Sequence, residues 1–216
     1  MSQTADGELL VSVVDEHPSE AENARGYVTN DRMLMHTDPT DVAALLCLRQ
    51  GAHGGSGIYA SAETILNALT EKAPTIVPEY FRLWPWDLRG IQRPGAAQIV
   101  LTPIFGIQHG ELICRYGSSM LRQGAMRRAG HRLAGDRMIL DIFDEVAQRP
   151  ELSLRYTLRR GESVWLNNYR VLHGRESFED EAASGMVRHL LRTWIWLHTR
   201  PAIPPEFLAF SEEFGL

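Results

Sequence analysis

Lysine is almost missing from this 216-residue chain: of 22 basic residues only Lys72 is one, so arginine carries nearly all the positive charge. Such a bias follows genome composition as readily as chemistry, and no function is read from it. A basic excess is missing too. The formal net charge of −5 argues against a dedicated nucleic-acid binder, which needs cationic surface to displace counterions from phosphates; small molecules are the expected partners. Cysteine is scarce. Cys47 and Cys114 lie in the apolar runs AALLCLR and ELICRYG with no CxxC nearby, so buried free thiols are expected rather than a disulfide. No apolar run approaches the roughly 18 residues of a membrane span, and the opening MSQTADGELL lacks the basic, apolar and small-residue order of a signal peptide. A soluble cytoplasmic protein without membrane contact is expected. Repeats and low-complexity tracts are also lacking, which excludes solenoids and long tails.

What is present is ordinary globular composition, 44% hydrophobic and 23% charged, at a length that suits one domain over 1–216. Short β-branched and aromatic runs bounded by turn residues recur at 42–48, 98–105, 111–116, 152–158, 163–168 and 189–197, which predicts strands. Two segments switch to helical spacing: 62–71, with Ile65, Leu66 and Leu69, and 135–148, with Met138, Ile139, Ile142, Phe143 and Val146 on one face and Asp136 as a candidate cap. The pattern predicts a mainly β, mostly antiparallel domain interrupted by a long insertion at about 72–135. Its Pro, Gly, Trp and Arg content reads as extended loop rather than core. Long loops of this kind are usually binding loops or lids, and Trp84 and Trp86 read either as lid residues or as loop anchors.

The chemistry-bearing residues sit at the flanks of that insertion. In LMHTDPTD, His36 and Asp38 are separated by one residue, so in a strand both would face one side. A third ligand is expected at His173, in LNNYRVLHGRESFED, 137 residues further on. Two imidazoles and one carboxylate leave open positions on a metal, which suits an iron(II) oxygenase, whereas zinc prefers closed or single-water sites. The same donors could serve a zinc hydrolase, so the ligands alone do not fix the reaction. Downstream, VRHLLRTWIWL places Arg188 and Arg192 four apart in an apolar segment. Buried arginines need partners, and the guanidinium fork matches a carboxylate bidentately; a dicarboxylic keto acid would supply that partner. Arg115, in CRYGSS, reads either as a binder of a substrate carboxylate or as a surface ion pair, and Arg175 either as support for the site or as a partner of Glu176 or Asp180. His53, His109, His131, His189 and His198 lack ligand-like context.

The pieces HTDPTDVAALLCL, GGSGIYASA, CRYGSS and LNNYRVLHGRESFED followed by RHLLRTW, in that order from about residue 25 to 197, resemble the taurine dioxygenase and clavaminate synthase-like family of 2-oxoglutarate-dependent oxygenases. The resemblance implies a double-stranded β-helix, or jelly roll, with a few flanking helices and a long insertion between the metal-ligand strands. It implies Fe(II) held by His36, Asp38 and His173, with 2-oxoglutarate and O2 as cosubstrates. Arg192 would bind the distal carboxylate of the keto acid, with Arg188 a supporting or alternative contact; Ser61, or its neighbour Ala60, would fall at the family's cosubstrate hydroxyl, and Asn168 would order a strand. The implied activity is oxidation, foremost hydroxylation, of an unactivated C–H bond in a small amino-acid-derived or carboxylate-bearing metabolite, releasing succinate and CO2. Halogenating relatives lack the ligand carboxylate, so Asp38 favours hydroxylation, with desaturation and cyclisation as variants.

The chain departs from the family at its start. Members usually carry a substantial segment ahead of the HxD motif, whereas here His36 comes very early. A trimmed chain, a minimal version, or a subunit whose sheet is completed by a partner or a second copy is expected. Two alternatives stand beside the oxygenase: a metal enzyme that uses no keto acid, against which Arg192 speaks, and a catalytically silent binding subunit.

Overall fold

The computed structural model describes residues 3, 7–17, 26–89, 95–128, 133–199 and 202–209; His131 lies outside them. Short apolar runs cannot bury a face alone, and eight of them pair here into two four-stranded antiparallel sheets. The strands are β1 (Val11–Val13), β2 (Met33–His36), β3 (Val42–Arg49), β4 (Gly57–Ser61), β5 (Leu154–Tyr156), β6 (Ser163–Asn167), β7 (Val171–Arg175) and β8 (His189–Ile195). One sheet runs β1-β8-β3-β6, the other β5-β4-β7-β2. Successive strands alternate between sheets except at the β4-to-β5 step, which is the winding of a jelly roll. All eight strands come from this one chain, with β1 closing an edge of the first sheet against β8.

Alternation along the second sheet divides its residues between two environments. His36, Tyr59 and His173 face the space between the sheets. Their neighbours Met35, Ile58, Ala60 and Leu172 face the opposite way, into the largest apolar cluster of the protein. That cluster is built largely by the segment between β4 and β5: helices α1 (Ala62–Lys72), α2 (Ser118–Arg127) and α3 (Leu133–Ala147), and two ribbons, Trp84–Asp87 with Ile99–Thr102 and Phe105–Gln108 with Glu111–Cys114. The expectation of extended loop at 72–135 is therefore corrected. Trp84 and Trp86 are buried core residues rather than a lid, because each indole N–H reaches a carbonyl, Glu79 and Thr102 respectively, which removes the polar cost of burying tryptophan.

The helices follow their apolar stripes. α1 buries Ile65, Ala68 and Leu69. α3 buries Ile139, Leu140, Phe143, Val146 and Ala147, while Met138 is half exposed, so its inward stripe is rotated slightly from the sequence expectation. Asp136 lies within the first turn of α3 and pairs with Arg82 rather than standing at the cap position. Both cysteines are buried and free. No helix among the described residues is long and apolar enough to cross a membrane.

Candidate metal centre

β2 and β7 are hydrogen-bonded neighbours, and His36 stands directly opposite His173 in their register, bringing the ring centroids to 4.4 Å. Asp38 does not continue the strand: β2 ends at His36, and residues 37–41 form a turn that swings the carboxylate back toward both rings. Asp38 Oδ1 lies 4.0 Å from His36 Nε2, and Oδ2 lies 3.6 Å from His173 Nε2. One ligand atom from each residue falls within 4.8 Å of the others, a span a single ion can bridge. The donors also fit a metal chemically. Asp38 Oδ2 is buried without a hydrogen bond, and His36 Nδ1 lies 2.9 Å from the Leu34 carbonyl, so a proton held there leaves Nε2 as the free donor. Burial, and next His173, lower the His36 pKa to about 4, so the ring is neutral and ready to ligate at physiological pH. For Asp38 burial pushes upward, but Arg192 and the two imidazoles outweigh it and hold the carboxyl well below its usual range.

The turn that carries Asp38 is fixed from several sides. Thr37 N–H donates to the Tyr116 carbonyl at 2.8 Å, and Tyr116 N–H donates to Thr37 Oγ1 at 3.0 Å. Asn168 Oδ1 accepts from Asp38 N–H at 3.3 Å, so Asn168 orders the metal loop. The Tyr169 hydroxyl and Leu197 N–H donate to the two oxygens of Asp41 at 2.7 and 2.8 Å. Arg115, 1% exposed, donates to the carbonyls of Asp38 and Thr40 and lies over the Tyr169 ring. It lines neither space that reaches the metal ligands, which corrects the expectation that it binds substrate: a fully buried guanidinium already engaged with loop carbonyls braces the turn.

Two spaces meet at His36 and Arg192. The inner one, between the sheets, is about 60 Å³, room for roughly four or five waters. The outer one is an open cleft of about 410 Å³. The inner cavity is walled by apolar groups and by Arg175, Arg188 and Arg192, and none of its lining residues is acidic. Nε and Nη1 of both Arg175 and Arg188 are buried with no hydrogen-bond partner among the described residues. Burial lowers the Arg188 pKa, and burial together with Arg188 lowers that of Arg175 to about 10; both remain cationic at neutral pH. Buried unsatisfied cations of this kind call for an anion.

The two arginines singled out in the sequence do not occupy equivalent places. Arg192 Nη1 lies 3.7 Å from Asp38 Oδ1 and its Nε donates to Gln3, so it belongs to the metal end. Arg188 lies at the far end, beside Gly55 and over the Phe178 ring, where its charge acts on Tyr59 and Cys47. Ser61 is not in the cavity. Its Oγ caps α1 by accepting from Glu63 N–H at 3.2 Å, and in the register of β4 with β7 it pairs with Val171, on the opposite side of the His173 row from Arg175. Tyr59 and Arg175 line the inner cavity. Tyr59 is absent from the residues expected from the sequence, although its two-residue spacing from Gly57 and Ser61 puts all three on one face of a strand.

Over residues 2–194 the chain matches the family described as taurine catabolism dioxygenase TauD, TfdA. It is similar to FR-33289 synthase of Streptomyces rubellomurinus, 34% identical over 200 residues, covering 90% of this chain and 59% of that protein. It is also similar to the taurine hydroxylase-like protein SAT17 of Stachybotrys chartarum, 29% identical over 201 residues, covering 88% and 51%. The chain thus spans between half and three-fifths of the length of these relatives. Among solved structures its fold resembles asparagine oxygenase in complex with Fe(II), 2S,3S-3-hydroxyasparagine and succinate (TM-score 0.59, 16% identity, 88% and 57% of the two chains). It likewise resembles the non-heme iron oxygenase OrfP in complex with Fe and alpha-ketoglutaric acid (TM-score 0.59, 16% identity, 88% and 57%). The match across nearly the whole chain agrees with the jelly-roll winding and the His-Asp-His cluster, and the protein belongs to the taurine catabolism dioxygenase TauD, TfdA family.

Proposed function

We propose that this chain is an Fe(II)- and 2-oxoglutarate-dependent oxygenase that hydroxylates an unactivated C–H bond of a small, amino-acid-derived or carboxylate-bearing metabolite, with release of succinate and CO2. One observation carries the reading: an open three-ligand set, His36, Asp38 and His173, adjoins a cavity that holds guanidinium groups with unbonded buried nitrogens and no carboxylate. A dicarboxylic keto acid satisfies both halves, one end at the metal and the other at the buried cations.

Bound iron and keto acid would supply the oxidising power. The chain supplies placement. His36 and His173 present imidazole nitrogens from adjacent strands, and Asp38 is held toward them by the Thr37–Tyr116 and Arg115 contacts. Arg188, with Arg175 beside it, receives the distal carboxylate, two methylenes beyond the keto carbon, while Arg192, next to Asp38, guards the metal end. This reverses the order of the two arginines expected from the sequence and removes Ser61 from the cosubstrate contacts. The outer cleft is the substrate entry. Arg32, Arg89 and Arg192 line it, and Asp38 is its one carboxylate among the described residues; that balance supports a substrate bearing an acidic group. Fold relatives described with hydroxyasparagine and with alpha-ketoglutaric acid support the amino-acid class and the cosubstrate.

The test is anaerobic. Adding 2-oxoglutarate to the iron(II)-loaded protein is expected to produce the weak visible charge-transfer band of the chelate, and His36→Ala is expected to abolish both iron retention and the band. Folded, iron-loaded protein without a band would overturn the cosubstrate and leave a metal enzyme of another kind.

A further inference from the structure

The geometry points to the Tyr59 hydroxyl as the neutral partner of Arg188 in holding the distal carboxylate of the keto acid, seated in space that Gly57 leaves open. The inference rests on the cosubstrate proposed above and adds a residue and a local device to it.

Three adjacent strands set the geometry. His36, His173 and Tyr59 stand in one row across β2, β7 and β4, and the next row holds Met33, Arg175 and Gly57. All of the inward side chains in these rows line the inner cavity. The tyrosine ring does not stay in its own row. A Cβ placed on Gly57 would fall 2.1 Å from the Tyr59 hydroxyl oxygen and 2.5 Å from the ring carbon that bears it, so the ring leans along β4 over the glycine, away from the metal ligands and into the row of Arg175. Only a residue without a side chain permits that approach. The hydroxyl thereby reaches the end of the cavity where Arg188 lies, and the two groups are close enough to interact electrostatically.

The site then offers a carboxylate two kinds of donor. Arg188 brings buried N–H groups with no hydrogen-bond partner among the described residues, and Tyr59 brings an O–H. Burial raises the pKa of the hydroxyl, with Arg188 acting in the opposite sense, so it keeps its proton at neutral pH and donates. A carboxylate oxygen accepts from both without strain, since it carries more lone pairs than one guanidinium fork fills. Tyr59 is thus a cosubstrate-binding residue, and Gly57 a positioning residue that acts through it. A hydroxyl borne by position 57 itself would be excluded for as long as the tyrosine ring lies there.

The experiment compares two keto acids on iron(II)-loaded protein without oxygen, by titrating the chelate band: 2-oxoglutarate, and 2-oxopentanoate, which has the same chain length and no distal carboxylate. Tyr59→Phe is expected to weaken 2-oxoglutarate about ten- to hundredfold, the range for a hydrogen bond to a charged group, and to leave 2-oxopentanoate unchanged. Gly57→Ala, which displaces the ring without deleting the hydroxyl, is expected to narrow the preference for 2-oxoglutarate in the same way. The proposal is overturned if Tyr59→Phe binds 2-oxoglutarate as wild type does, or if it loses both acids equally, as a packing defect would. A wild-type protein that shows no preference for 2-oxoglutarate sinks the cosubstrate itself, and this inference with it.

Discussion

Arg188 and Arg192, four positions apart, meet different surroundings because Arg188 immediately precedes β8 and Arg192 lies within it. Arg192 lies beside Asp38, and Arg188 is separated from the metal ligands and opposes Tyr59. Charge alone would not distinguish them; position along the chain, just before β8 or inside it, does. Arg188→Gln is therefore expected to lose most of the preference for 2-oxoglutarate over 2-oxopentanoate, by at least about tenfold in the ratio of dissociation constants, whereas Arg192→Gln leaves that ratio unchanged because it stands at the end both acids share. Chelate-band titration reads both constants, and a ratio that collapses in Arg192→Gln instead would restore the order expected from the sequence. The cluster of candidate ligands was legible from residue types and spacing: His36 and Asp38 as a pair, with His173, the remote third, brought beside them. The placement of the arginines was not, because a four-residue interval says nothing about which end of the barrel each side chain meets.

At the scale of elements, the site depends on contacts that join strands to the segment between β4 and β5. That segment was read as loop because its prolines, glycines and tryptophans resemble turn chemistry one residue at a time. Burial of its indoles depends on carbonyls such as that of Thr102, which sits 16 residues from Trp86, and no local pattern reveals such a partner. Ser61 has a structural role that its local sequence does not reveal. Its neighbourhood suggests a cosubstrate hydroxyl, yet it is the last residue of β4 and the first support of α1, where an exposed Oγ satisfies an orphan helix N–H. Ser61→Ala is expected to destabilise the fold by about 1 kcal/mol, the usual value of an N-cap, while leaving the affinity for 2-oxoglutarate as in wild type. Urea unfolding measures the first and chelate-band titration the second; weakened cosubstrate binding at unchanged stability would return Ser61 to the site. Strands and the two longer apolar helices were legible by contrast, since β3, β8, α1 and α3 carry their own periodicity and the register follows once the inward faces are matched.

For the molecule as a whole, the cavity proposed to receive the keto acid works against the fold that contains it. Arg175 and Arg188 are buried and mutually repulsive, no described residue lining the cavity is acidic, and Asp15, Asp31 and Asp180 offset their charges only in part from outside it, which costs the ligand-free fold stability. The ligand-free protein accepts that cost in exchange for a prepared site. Two melting curves separate this account from one in which the arginines simply hold the barrel together. In wild type, iron(II) with 2-oxoglutarate at about one hundred times its dissociation constant adds about 2.7 kcal/mol, which for a chain of this size raises Tm by about 5–10 °C. In Arg188→Met, which keeps the aliphatic volume and removes the charge, the ligand-free Tm is expected to equal or exceed that of wild type, while most of the rise with 2-oxoglutarate disappears. If Arg188→Met instead melts well below wild type without ligand, the guanidinium is a structural member, the cavity is not an anion site held open at the expense of stability, and the distal carboxylate must be met elsewhere.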